Sequence, residues 1–200
     1  MAVRYFTTTA DSGDGSLRDV IADAAAGDII QPSPSLLVGD GPLVISLSSF
    51  LSIPRRLTFE GGSGRVRLDG QKSTRLVTVQ TSATVTFSDF DFVRGSNTST
   101  GGCIVATTNG ANIVLNRCLI AGNRNSTSLG DITTSSSSVR WSSVVCNDSI
   151  LCGGSSQALS TARIDSYTLN RCTVAAYVSN YQLTAGNVDS IITNTSVLSP

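Results

Sequence analysis

Histidine is absent from the 200 residues, and Lys72 is the only lysine. Histidine triads, histidine metal sites and most general-base schemes are thereby excluded. Charge is scarce and balanced: 14% of residues are charged, with Lys+Arg and Asp+Glu at 14 each. That balance gives no electrostatic basis for a nucleic-acid partner or an acidic membrane. No apolar run approaches the roughly 18 residues of a membrane span. Met1 to Ala10 lacks the apolar core of a signal peptide, which leaves an intracellular site open beside an exported one. With 40% hydrophobic residues, what remains suits one domain over residues 1–200.

The five cysteines, Cys103, Cys118, Cys146, Cys152 and Cys172, show no Cys-x-x-Cys pattern, and their odd number leaves at least one outside any intrachain bridge. They are expected to serve as small buried core residues. No metal site and no cofactor is expected.

What the chain does contain is a repeat. "ATVTFSDFDFVRGSN" (Ala83 to Asn97) aligns without a gap on "ANIVLNRCLIAGNRN" (Ala111 to Asn125), an offset of 28 residues. "VRWSSVVCN" (Val139 to Asn147), "YTLNRCTVA" (Tyr167 to Ala175) and "IITNTSVLS" (Ile191 to Ser199) continue the frame downstream, and "LSIPRRLTFEG" (Leu51 to Gly61) is a poorer copy upstream. Each unit reads apolar, x, apolar, two polar residues, apolar, x, apolar. Val85, Phe87, Ser88, Asp89, Phe90 and Phe92 form one such unit; Ile113, Leu115, Asn116, Arg117, Cys118 and Ile120 form another. This is two strands of period two meeting at a polar corner. The corners lack the glycine that a tight hairpin wants, so a bend between two strands lining one interior fits better than a β-sandwich.

Units of about 24 to 28 residues that cannot bury their own apolar face are satisfied by stacking. The predicted fold is therefore all-β: a right-handed parallel β-helix of about six coils spanning residues 43–199, with residues 11–28 as an amino-terminal cap. Phe87, Ile113, Leu115, Cys118, Val139, Trp141 and Leu169 should point inward. The corner column is predicted as Ser88, Asn116, Ser142, Asn170 and Asn194, residues that tolerate a left-handed bend. The next column is predicted as Asp89, Arg117, Ser143, Arg171 and Thr195. A surface ion pair between Asp89 and Arg117 there would contribute about 0 to 1 kcal/mol. Cys118 and Cys172 share a column with the coil of Val144 between them. Their separation of about 9.6 Å is too long for a disulfide.

Within "ADSGDGSLRDVIADAAAGD" (Ala10 to Asp28), Leu17, Val20, Ile21 and Ala24 have the spacing of an amphipathic helix. Ser16 and Asp19 resemble a capping box, and Gly27 is placed to stop the helix. A calcium loop would need side-chain oxygens where Gly13 and Gly15 stand, and the lysine of a phosphate loop is missing. The stretch reads as a lid over the open first coil.

The segments "TTTADSGDGSLRDVIADAAAGDII", "RRLTFEGGSGRVRLDG", "RLVTVQTSATVTFSDFDFVRGSN" and "GGCIVATTNGANIVLNRCLIAGN", in that order, resemble the amino-terminal part of bacterial surface β-helix proteins related to the chlamydial polymorphic outer-membrane proteins. The resemblance covers roughly Val3 to Asn125. It implies the pectate-lyase-like superfamily fold, an extracellular or cell-surface location, and adhesion or envelope architecture rather than a reaction.

The competing expectation is a polysaccharide lyase or glycoside hydrolase acting on uronic-acid polymers, with Asp89, Asp91 and Arg94 as its catalytic candidates. Paired carboxylates are what glycoside hydrolysis requires, but Asp89 is expected beside Arg117, and the column of Asp91 (Leu119, Val145, Thr173) brings no second acid. A surface glycan is a further expected partner, and sequons begin at Asn97, Asn125, Asn147 and Asn194. The carboxy-terminal coil, with Val188, Ile191, Ile192, Val197 and Leu198, offers no matching lid. It is expected to meet further coils or a protein partner.

Overall fold

Apolar residues at alternate positions of short strands can all be buried only if the strands close around a shared interior. The chain achieves this by winding. A computed structural model describes residues 1–98, 101–125, 131–152, 164–175, 189–193 and 196–198. It is all-β, with parallel sheets forming a β-solenoid of about six turns. Every strand pair among the described residues is parallel, which a sandwich built from hairpins would not give.

Three sheets make the wall. The first stacks Val3–Phe6, Ile29–Pro32, Thr58–Glu60, Thr84–Ser88, Ala111–Asn116, Trp141–Asn147, Ile164–Asn170 and Asp189–Thr193. The second stacks Leu43–Ser46, Val66–Asp69, Phe90–Val93, Leu119–Ala121, Ile150–Cys152, Thr173–Ala175 and Ser196–Leu198. The third holds Leu51–Ile53, Val77–Val79, Ile104–Ala106 and Ile132–Thr134. Ser96–Asn97 and Arg124–Asn125 form a short extra ladder.

Inside the wall, Phe59 and Phe87 stack at 4.4 Å with ring planes 8° apart, and Phe90 and Phe92 meet Phe87 edge-on at 5.4 and 5.2 Å. Further along, Ile113, Leu115, Cys118, Trp141 and Leu169 are buried as predicted, and Trp141 donates its Nε1–H to the carbonyl of Thr133 at 2.8 Å. Val139 is only half-buried and packs against the core from just before its strand.

Three expectations change. Stacking begins at Val3 rather than Leu43, because Val3–Phe6 and Ile29–Pro32 are the first two rungs of the first sheet. The helix, Leu17–Asp23, lies in the connection between those rungs and buries Leu17 and Ile21. Its N-cap is Ser16, whose hydroxyl accepts the Asp19 N–H, while the Asp19 carboxylate accepts the Gly15 N–H, one residue earlier than a reciprocal capping box. It ends at Ala24, which turns extended (φ −67°, ψ 140°). Gly27 therefore lies past the end, and its positive φ serves the turn into Ile29.

The third change concerns register. Val144, not Val139, pairs with Ile113, and Cys146, not Trp141, pairs with Leu115, so "VRWSSVVCN" is displaced by five residues from its predicted frame. The coil is three residues longer than the 28-residue repeat, two of them in the connection from Thr134 to Trp141 and one in a bulge opposite Ala111 and Asn112. Trp141 pairs with Ala111 and Ser143 with Asn112, so Trp141 and Val144, three apart, both face inward and the alternation changes phase within one strand. The last copy is displaced by one residue, Thr193 pairing with Asn170.

Candidate functional site

Side-chain chemistry on this solenoid concentrates at the bend between the first and second sheets and on the outer face of the second. At the bend the column is Ser88, Asn116, Asn147, Asn170 and Thr193. Asn147 replaces the predicted Ser142, and Asn194 lies outside the described residues. The amides form a one-way ladder. Asn116 Nδ2 donates to Ser88 Oγ at 3.2 Å, Asn147 Nδ2 to Asn116 Oδ1 at 2.9 Å and Asn170 Nδ2 to Asn147 Oδ1 at 2.8 Å, with the Thr193 hydroxyl on Asn170 Oδ1. The Asn147 sequon thus has its amide nitrogen inside the ladder.

The left-handed residues are the next in sequence, not the asparagines: Asp89, Arg117, Asp148 and Arg171 have φ of 61°, 52°, 51° and 50°. Asp148 stands where Ser143 was predicted, and Thr195 lies outside the described residues. Charges alternate up this column. Arg117 grips Asp89 through Nε and Nη2 at 2.8 Å each, and Arg171 grips Asp148 at 2.6 Å each. Each fork ties one coil to the next and penalises a slipped register.

On the outer face of the second sheet, Asp91 is only 3% exposed. Arg65 and Arg67 both close on it, each donating from Nε and Nη2, at 2.5 to 3.3 Å. Arg94 forks onto Asp69, which is also buried. Burial works against the Asp69 charge, but the Arg94 hydrogen bonds, the Gln71 amide and the positive charges of Arg94 and Arg67 together outweigh it and hold the carboxyl below its ordinary range. The three catalytic candidates are thus held apart by separate partners: Asp89 by Arg117, Asp91 by Arg65 and Arg67, and Arg94 by Asp69. The column of Asp91 continues Leu119, Ile150, Thr173, with Ile150 in place of the predicted Val145.

Near the amino terminus, Asp28 accepts from the Arg4 Nε at 2.6 Å and from the amides of Ala2 and Ala25 at 2.8 and 3.0 Å. The Arg4 hydrogen bond, then the two amides, lower its pKa to about 2. Asp148 is lowered in the same direction by Arg171. A depressed carboxyl contributes stability that is complete above its unfolded pKa of about 4 and is lost as pH falls through the folded value. The urea midpoint should therefore decline from pH 4 toward pH 2, and Asp28→Asn should flatten part of that decline. An unchanged acid slope in the variant would remove Asp28 from the account.

The opening loop is also structural: Asp11 accepts from Arg18 at 2.8 Å and from the Ser48 amide at 3.2 Å, and Arg18 donates to the carbonyls of Ser49 and Phe50. All five cysteines are thiols. Between Cys118 and Cys172 sits Ser149, whose hydroxyl accepts the Cys118 N–H at 3.0 Å. Burial pushes the Cys118 thiol up to about 12, and Cys103 and Cys146 rise for the same reason. These groups stay protonated and unreactive.

Among the described residues no three His, Cys, Asp or Glu side chains gather in a metal-binding group, and no helix is long and apolar enough to cross a membrane. The ladders of the first and second sheets end with Asp189–Thr193 and Ser196–Leu198, which carry Ile191, Ile192, Val197 and Leu198 of the expected interaction edge. Val188 lies outside the described residues. The chain matches no family model and none of the curated proteins. Sequence reasoning missed Asn147, Asp148, Arg65, Arg67 and Asp69. "VCNDS" carried a signal, since it repeats the apolar, Asn, charged, small order of "LNRCL".

Proposed function

We propose that this chain is a non-enzymatic architectural and adhesion module of a cell-surface or extracellular protein: a right-handed parallel β-helix whose helix Leu17–Asp23 closes its first coil. The observation that carries this reading is the use made of the buried carboxylates Asp28, Asp69 and Asp91. Each is held by arginines, and Asp28 and Asp69 by backbone amides as well. Hydrolysis needs two carboxylates facing a substrate across a gap. Here the arginines and acids are spent on one another, joining coil to coil. Location and adhesion rest on the segment resemblance from Val3 to Asn125.

In this reading Asp91 is a structural residue. Asp91→Asn should lower stability by about 1 to 2 kcal/mol, since it leaves two guanidinium groups facing each other, each with enough solvent exposure to screen part of the repulsion. Wild-type protein incubated with polygalacturonate, with and without calcium, should release no unsaturated or reducing ends. Release that Asp89→Asn or Asp91→Asn abolishes would establish the enzyme reading instead. The terminal coil with Ile191, Ile192, Val197 and Leu198 is the proposed docking edge for further coils or a protein partner. Sedimentation giving a strict monomer at high concentration, with slow hydrogen exchange at Ile191 and Ile192, would remove that edge from the proposal.

A further inference from the structure

The arginines on the second sheet are not balanced in the way the corner charges are. Asp28, Asp69, Asp89 and Asp148 each serve one arginine, whereas Asp91 serves two. Arg65, Arg67 and Arg94 over Asp91 and Asp69 carry one net positive charge. Lys72, whose amide donates to the Arg94 carbonyl at 2.7 Å and whose side chain is exposed, adds a second.

The geometry also fixes the groups. Each of the three arginines spends Nε and Nη2 on a buried carboxylate and, among the described residues, makes no hydrogen bond through Nη1. Their side chains remain 36%, 36% and 52% exposed. Arg65 and Arg94 are further pinned by left-handed backbones with φ of 58° and 52°. Ordering a long cationic side chain normally costs binding energy. Here Asp91 and Asp69 have already ordered it, and each guanidinium keeps donors for an outside oxyanion.

We infer that the Arg65, Arg67 and Arg94 strip binds an acidic polysaccharide, one carboxylate or sulfate group per outward guanidinium edge. A polymer fits better than a single ion because the strip runs across two successive coils, Val66–Asp69 and Phe90–Val93. A nucleic acid fits poorly, since the aromatic residues of these strands, Phe90 and Phe92, are buried with no face left for base stacking. The site supplies a ligand class for the module proposed above, and rests on that reading only in expecting binding without turnover.

The test titrates the full chain with polygalacturonate, dextran sulfate and neutral dextran by calorimetry, alongside Arg67→Gln, Arg94→Gln and Arg171→Gln. Arg67→Gln leaves Arg65 on Asp91, and Arg94 is the most exposed of the three, so both variants should fold, as thermal melts will verify. Each should weaken binding to the anionic polymers about tenfold. Arg171→Gln, at an arginine on the corner that is more exposed than any of the three, should change nothing, and neutral dextran should not bind. The inference fails if the wild-type chain ignores both anionic polymers, or if Arg171→Gln loses as much as the strip variants. Product release on polygalacturonate would instead defeat the non-enzymatic reading and leave the binding strip standing.

Discussion

Phe87→Ala is expected to cost about 3 to 5 kcal/mol, a large share of the 5 to 15 kcal/mol that holds a typical domain. The ring of Phe87 lies flat on Phe59 at 4.4 Å and takes the edges of Phe90 and Phe92, so its removal opens a cavity among three other rings. Those rings belong to neighbouring rungs of two sheets, and a parallel wall cannot collapse inward at one rung without breaking its ladders above and below. Urea unfolding followed by circular dichroism would measure the loss. Trp141, the only tryptophan, sits two coils away and gives a second probe. In a solenoid each coil contacts only its neighbours, so the loss should first appear in dichroism and later in tryptophan fluorescence. A loss below about 1 kcal/mol would mean that the aromatic stack is not what holds these coils.

The strand order was legible in the sequence wherever alternation ran undisturbed. From Leu57 through Val85 to Ile113 the register holds at 28 residues, because apolar and polar positions keep one phase and the bend falls after the same number of residues. It failed around Trp141, where two residues are added before the strand and a bulge residue within it changes the phase. The pair Val139 and Trp141 then imitated a full copy, while the true one, Val144 and Cys146 followed by Asn147, stood five residues on. Neither a bulge nor a lengthened connection leaves a mark of its own in composition, and alternation of apolar residues does not reveal either.

The charged network was less legible for a related reason. Asp89 and Arg117 fall at the repeat offset and could be paired by alignment alone. Arg65 and Arg67, by contrast, reach Asp91 from a coil whose bend carries four extra residues, Gly62 to Arg65. Nothing local indicates that two arginines on "GRVRLDG" and one acid on "DFDFV" will converge; only the stacking of Arg67 on Asp91 brings them together. Those same residues now divide between two roles. The carboxylates are buried and hold the coils, and the arginines that cover them remain half in water. A surface of that kind can bind without reacting, because the groups able to act as acid or base are the ones already neutralised.

The second large effect is expected at Gly95, where the chain leaves the second sheet. A Cβ there would stand 2.0 Å from the Gly102 carbonyl oxygen and 3.0 Å from Asn123 Oδ1. Neither neighbour can yield. The first is backbone, and the second is the buried amide that accepts the Gly95 N–H at 2.7 Å while donating to the Phe92 carbonyl at 3.2 Å. Gly95→Ala must therefore push aside the Gly102 backbone of its own coil or abandon the hydrogen bonds to Asn123 of the next coil, which would leave buried polar groups unmet. The expected loss is about 3 kcal/mol or more, the upper range for overpacking. Gly41→Ala provides the control, since a Cβ at Gly41 meets no atom within 4 Å. Melting both variants beside the wild type gives the comparison: Gly41→Ala should be close to neutral and Gly95→Ala should melt far lower. Asn123→Ala would then separate the two causes. If Gly95→Ala loses no more than Asn123→Ala, the damage is the lost hydrogen bonds alone and the close approach of the Gly95 and Gly102 backbones adds nothing. A larger loss assigns the difference to the steric contact, and makes the glycine at this bend a requirement of how tightly this coil folds back on itself between Phe90–Val93 and Ile104–Ala106.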